Sequence, residues 1–273
     1  MKVIFSDLDG TLLHPHTYCC DAAEPALRLV REQNVPLVFS TSKTHAEVEF
    51  WRERLENRDP FIVENGGAIY IPDGYFPFDI PGAVRRDGYD VIQLGTPYPE
   101  LVETLRKCAL ESGCEVLGFA DWNVAEVATR TRLPVKQAEL SKQREYDEPF
   151  EIVGLGTYRL LAAIEAHGKS WTRGDSFYHI TGGNDKAEAV RRLTALYNQA
   201  FGNVVTVGLG DGHNDAGFLA TVDLPVVVQS RFATALVRAV PHCFVSRWPG
   251  PHGWNEAVLH LMAAKPKAMA GRA

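Results

Sequence analysis

Long apolar runs are missing from this 273-residue chain, and none approaches the ~20 residues that a membrane-spanning helix needs, so no membrane partner is expected. Asp7 arrives before an apolar secretory segment could form, which argues against a signal peptide and for the cytoplasm. Cysteine is scarce: Cys19, Cys20, Cys108, Cys114 and Cys243 are odd in number and lack the spacing of a metal cluster, so reduced thiols are expected. No stripe of Lys or Arg stands ready for a polyanion, and 28 basic side chains face 34 acidic ones for a net charge of -6, so nucleic acid is not an expected partner. Internal repeats and low-complexity tracts are also absent. What remains, 45% apolar and 23% charged residues, is the composition of a chain that folds throughout.

The order of patterns predicts an α/β protein. Val3-Ile4-Phe5 reads as a buried strand opening into a tight loop, followed by a helix over 21–32. A second strand over 35–39 ends at Ser40-Thr41-Ser42, a helix covers 44–56, and Phe61-Ile62-Val63 is a third strand running into the Glu64-Asn65-Gly66-Gly67 turn. Strands alternating with helices imply parallel βαβ units, whose chemistry collects at the carboxyl ends of the strands. The rhythm then breaks and resumes with a helix over 185–197 and a strand over 204–209. Residues 83–182 are therefore read as an inserted second domain, with 1–82 and 183–273 forming the core. The tail from Lys265 lacks apolar periodicity and is expected to fray.

Two acidic clusters carry the chemical signal. Asp7 and Asp9 leave the first strand two residues apart, with Gly10 allowing a sharp turn; alone, such a segment is as readily a solvated Asp-Gly turn. Gly208-Leu209-Gly210-Asp211-Gly212-His213-Asn214-Asp215 follows another apolar strand, so in a parallel sheet its carboxylates share an edge with Asp7 and Asp9. Four carboxylates at one edge repel unless they share a cation, and hard oxygen donors suit Mg²⁺.

The ordered set Asp7-Leu-Asp9-Gly10-Thr11-Leu12, Thr41, Lys186 and Gly210-Asp211-x-x-Asn214-Asp215 resembles the four motifs of the haloacid dehalogenase superfamily. Taken singly, Lys186 reads equally as a surface helix lysine and Thr41 as a helix cap. The resemblance implies a Rossmann-like core (a parallel sheet in a three-layer αβα arrangement) and a Mg-dependent phosphatase working through an aspartyl phosphate. It further implies Asp7 as nucleophile, Asp9 as general acid and base, Thr41 and Lys186 on the phosphoryl oxygens, and Asp7, Asp9, Asp211 and Asp215 around the metal. An insertion after the third strand resembles the type IIB cap, a lid that selects the leaving group.

Longer strings resemble the mannosyl-3-phosphoglycerate phosphatase family: Thr41-Ser42-Lys43-Thr44, Glu64-Asn65-Gly66-Gly67, Arg144-Glu145-Tyr146-Asp147-Glu148-Pro149-Phe150, Phe177-Tyr178-His179 and Gly253-Trp254-Asn255-Glu256. The resemblance implies a small phosphorylated sugar-glycerate substrate, mannosyl or glucosyl, and a monomer or small homo-oligomer. Ser42, Lys43, Asn65, Arg144, Glu145, Asp147, His179 and Asn214 are the candidates for substrate contact. Without the resemblance, the charged segment 144–148 reads as a solvated face, His179 as a half-buried strand histidine and Trp254 as core. A phosphatase for another sugar or polyol phosphate, a sugar phosphomutase and a noncatalytic sugar-phosphate sensor are the competing expectations.

Overall fold

Short β-rich runs separated by amphipathic helices assemble into one large mixed sheet and a smaller antiparallel one. The computed structural model describes residues 1–174 and 176–263; the tail from Lys265 lies outside the described residues. In chain order the strands are β1 (Lys2–Ser6), β2 (Leu37–Ser40), β3 (Phe61–Val63), β4 (Ala68–Pro72), β5 (Val84–Arg86), β6 (Tyr89–Gln93), β7 (Glu115–Gly118), β8 (Asp147–Val153), β9 (Ser170–Arg173), β10 (Tyr178–Thr181), β11 (Val205–Gly210), β12 (Leu224–Gln229) and β13 (Phe244–Pro249). The helices are α1 (Glu24–Glu32), α2 (His45–Arg54), α3 (Tyr98–Ser112), α4 (Val124–Thr131), α5 (Val135–Ser141), α6 (Thr157–Ala166), α7 (Lys186–Phe201), α8 (Ala216–Leu219), α9 (Ala233–Ala239) and α10 (Gly250–Ala263).

The large sheet runs β13-β12-β11-β1-β2-β3-β4-β6-β5. Its first six strands are parallel and the last three antiparallel. Successive side chains of a strand face opposite sides, and both sides here are buried. Ile4, Leu37, Phe39, Phe61 and Val63 pack on one side with α1, α2 and α10, while Val3, Phe5, Val38 and Ile62 pack on the other with α7 and α9. Because β1 and β2 proceed outward one way and β11 and β12 the other, the strand order reverses between β1 and β11. In open α/β sheets such a switch point leaves a crevice at the carboxyl ends.

Local chemistry sets the helix ends. Thr44, not Thr41, caps α2, where a reciprocal pair with Glu47 satisfies two orphan amides. Asp185 caps α7 and so places Lys186 at its first helical position. The expected helix over 21–32 begins instead as a single 3-10 turn, Asp21–Ala23. The antiparallel sheet runs β7-β8-β10-β9 and packs on α3 and α6.

Residues 84–93, which the sequence reading assigns to an inserted segment beginning at 83, pair with the large sheet. After the Glu64–Gly66 turn, β4 runs back along β3 and would leave an open edge; β6 covers it, pairing Ile92 with Ile69 and Val91 with Tyr70. Burying those four side chains joins 84–93 to the large sheet.

Trp254 is core, as its apolar neighbourhood implies: it is fully buried, and its indole N–H donates to Ser6 Oγ at 3.0 Å, whose hydroxyl in turn donates to the Asp7 carbonyl. Trp254→Ala is expected to lower stability by about 3–5 kcal/mol, read from the urea midpoint at unchanged m.

Candidate active site

Parallel pairing of β1 with β11 aligns Ser6 with Leu209, so the loops carrying Asp7, Asp9, Asp211 and Asp215 leave one edge together. Gly10 makes their approach possible. It sits at φ 83°, and a Cβ there would fall 2.5 Å from Asp211 Oδ2.

One buried ammonium meets this cluster from the start of α7. Lys186 Nζ donates to Asp7 Oδ1 and to Asp215 Oδ1, both at 2.7 Å. Burial works against its charge, but Asp215 and Asp7 outweigh it and hold its pKa above the usual lysine value. The second oxygen of Asp215 accepts from the Asp211 and Gly212 amides, at 3.0 and 2.9 Å. Thr11 Oγ1 donates to Asp211 at 2.9 Å. Burial pushes the Asp7 carboxyl up to about 7, with Lys186 pulling it down and Asp215 pushing it further. Asp211 is raised well above its ordinary value by burial and by Asp7 and Asp215. One cation for three carboxylates leaves excess negative charge in a largely buried site. Oxygens of Asp7, Asp211 and Asp215 lie within 4.8 Å of one another, a hard-oxygen set with room for a further cation.

Asp9 points elsewhere: its Oδ2 meets Lys43 Nζ at 2.9 Å, and its Oδ1 has no hydrogen-bond partner among the described residues. Lys43 is buried against Glu47 as well, and its ammonium lies over the Tyr18 ring. Thr41, buried at the end of β2, accepts from the Lys43 amide at 3.2 Å.

The remaining expected residues divide between wall and support. A cavity of about 630 Å³ is lined by Asp7, Asp9, Asp211, Ser42, Lys43, Arg144, His179 and Asn214, among others. Behind it, Asn214 donates to Asn65 at 3.1 Å, Asn65 donates to Asp147 at 2.7 Å, and Asp147 faces His179 Nδ1 at 2.8 Å. Burial favours the neutral Asp147 acid, but His179 and Arg144 outweigh it and hold its pKa below the usual value. A carboxylate only accepts, so His179 Nδ1 carries the proton, and the ring is fixed in orientation.

Asn65, Asp147 and Glu145 do not line the cavity, contrary to the sequence reading. Asn65 and Asp147 are consumed in this buried chain. Glu145 is turned away, taken by Arg86 at 2.7 Å and by the Tyr70 hydroxyl at 3.0 Å. Its amide and that of Tyr146 donate to the buried Glu64, whose carboxyl burial pushes up to about 8 against the pull of Arg144. Sequence reasoning gave no individual role to Glu64, Glu47, Thr11 and Tyr18. Thr11 and Glu64 stood inside quoted strings and the capping pattern Thr44-x-x-Glu47 was visible, whereas Tyr18 carries no local signal.

Lys186→Met leaves the carboxylates unbalanced and is expected to cost about 3–5 kcal/mol near neutral pH. Since carboxyls with raised folded pKa values lose stability as pH rises through those values, the deficit against wild type should grow from pH 5 to pH 8 in urea titrations.

Comparison with known proteins agrees with this geometry. Residues 4–78 match the family model described as haloacid dehalogenase-like hydrolase. A glucosyl-3-phosphoglycerate/mannosyl-3-phosphoglycerate phosphatase of Methanococcoides burtonii is 40% identical over 95% of this chain and 97% of its own. A mannosyl-3-phosphoglycerate phosphatase of Pyrococcus furiosus is 36% identical over 84% of this chain and 91% of its own. In fold, a solved HAD subclass IIB sugar phosphatase superposes with a TM-score of 0.65 at 17% identity, covering 96% of this chain and 99% of its own. By relatives aligned along nearly its whole length, this chain belongs to the mannosyl-3-phosphoglycerate phosphatase family of haloacid dehalogenase-like hydrolases.

Proposed function

We propose that this protein hydrolyses the phosphate ester of glycosyl-3-phosphoglycerates, mannosyl and glucosyl, to the glycosylglycerate and phosphate. The observation that carries the chemistry is the buried Lys186 bridge to Asp7 and Asp215 beside Asp211. The relatives named above support the substrate. The segment from Gly95 to Gly182, which holds the antiparallel sheet, would act as the cap that selects the leaving group.

Asp7 attacks phosphorus, and the phosphate–alkoxide bond breaks as the leaving oxygen takes a proton from Asp9. Water then gives its proton back to Asp9, attacks the aspartyl phosphate and frees Asp7 and phosphate. Splitting the reaction this way replaces one very slow displacement with two easier ones. Asp9 suits proton transfer because it lines the cavity and is held in place by Lys43 through Oδ2. Lys186 and Thr41 would hold the nonbridging oxygens, where charge gathers. Asp7, the Asp9 carbonyl and Asp211 would hold Mg²⁺. Asp215, both of whose oxygens are already bonded, anchors Lys186 and the 211–212 backbone instead. Bound there, the cation supplies charge neutralisation between nucleophile and phosphate. All five cysteines are free thiols, which supports a reducing, cytoplasmic setting, and no helix of the described residues is long and apolar enough to cross a membrane.

Phosphate release from mannosyl- and glucosyl-3-phosphoglycerate, 3-phosphoglycerate and hexose phosphates tests the reading. Preference for the glycosyl phosphoglycerates, lost by about 10³-fold or more in Asp7→Asn, is the expected result; turnover of hexose phosphates alone would discard the substrate. Mg²⁺ should also raise the thermal midpoint of the wild type and leave that of Asp211→Asn unmoved, since only the folded site binds it.

A further inference from the structure

The cavity in front of Asp7 holds more positive charge than the chemical steps use. Lys43, Arg130, Arg132, Arg144 and Arg231 all line it. Most of these cations are already engaged by the protein. Lys43 is held by Asp9 and Glu47. Arg130 donates to Glu151 at 3.0 Å and lies over the Trp122 ring. Arg144 is among the residues expected from the sequence to contact substrate. It is instead buried over Phe119 and donates to the Ser141 and Ser42 carbonyls, at 2.9 and 2.8 Å. Arg231 lies over the Phe232 ring.

Arg132 differs. It is exposed to the cavity and makes no hydrogen bond, ion pair or ring contact with any described residue. Its backbone is also unusual. Arg132 closes α4 at φ 61°, ψ 18°, the left-handed conformation that glycine adopts freely and a long L side chain does not. The turn is nevertheless well anchored. Thr131 Oγ1 donates to the Val127 carbonyl at 2.7 Å and accepts from the Leu133 amide at 3.2 Å. Leu133 packs into an apolar cluster with Phe119, Trp122 and Phe177. A well-bonded turn thus holds an unfavourable residue whose side chain makes no polar or ring contact of its own among the described residues. Backbone strain of this kind occurs where surrounding structure fixes it, and it clusters at ligand sites.

We propose that Arg132 is a specificity-determining residue whose guanidinium receives a carboxylate on the leaving group, the part of the substrate that is not transferred. The assignment rests on the phosphatase reading above, in which the phosphate lies at Asp7 and leaves an anionic glycerate to be recognised elsewhere in the same cavity. A guanidinium presents a planar fork that matches a carboxylate in two parallel hydrogen bonds. Phe119, Leu133 and Phe177 supply apolar wall around it.

The test compares wild type with Arg132→Gln, Arg132→Lys and Arg132→Gly on mannosyl-3-phosphoglycerate and on p-nitrophenyl phosphate, which has no carboxylate. Arg132→Gln should lower kcat/KM for the glycerate substrate about 10- to 100-fold more than for p-nitrophenyl phosphate, with the loss mainly in KM. Arg132→Lys should recover part of that discrimination. Arg132→Gly should lose it while raising the thermal midpoint, because glycine relaxes the turn. An equal loss on both substrates, or none on either, would overturn the assignment and leave the phosphatase reading standing. A wild type that turns over p-nitrophenyl phosphate and hexose phosphates but no glycosyl phosphoglycerate would overturn the assignment together with the glycosyl-phosphoglycerate substrate, and the wild-type measurement alone identifies that case.

Discussion

A single buried ammonium organises this molecule's chemistry. Lys186 is taken out of water at the first turn of α7 and bonded to Asp7 from β1's end and Asp215 from β11's, 179 and 29 residues away in sequence. Neither the ammonium nor the carboxylates could be buried alone, since an unpaired charge in that environment costs several kcal/mol. Their mutual compensation ties the two central strands, the loop at Gly10 and helix α7 into one geometry. Because three carboxylates surround one ammonium, the balance stays negative, and the same arrangement that holds the fold also invites a divalent cation.

A second polar network joins the two sheets. Glu64 and Asn65 both adopt left-handed backbone, at φ 47° and 55°, and from that turn they reach into the segment beyond β6. Glu64 clamps the amides of Glu145 and Tyr146, and Asn65 links Asn214 to Asp147 and through it to His179. Buried polar groups left unpaired are expensive, so this chain tolerates few alternative placements of His179 relative to Asp7.

Much of this was legible in the chain order. The Val3-Ile4-Phe5 run, the Asp-x-Asp-Gly turn and the apolar strand before Asp211 depend only on near neighbours, and the parallel sheet follows from strands alternating with helices. The carboxylates of Asp7, Asp9, Asp211 and Asp215 fall at one edge for the same reason. Residues 83–93 did not follow, because whether a short strand joins one sheet or another is decided by which exposed edge is available, and β4 offers one.

Side-chain employment was the harder matter. Arg144, Glu145, Asp147 and Asn65 are the kinds of group that could meet a sugar phosphate, and their composition says no more than that. The fold gives three of them other work: Glu145 to Arg86, Asp147 to His179 and Asn65 to Asp147. Arg144 faces the cavity with two of its donors given to main-chain carbonyls, while Arg132, drawing no notice in sequence, stands there unengaged. Residue types and their order therefore set the reaction chemistry, since a strand exit and a helix start are local events. The division between ligand-facing and structural groups came only with folding, because hydrogen-bond partners are chosen by distances between segments that are far apart along the chain.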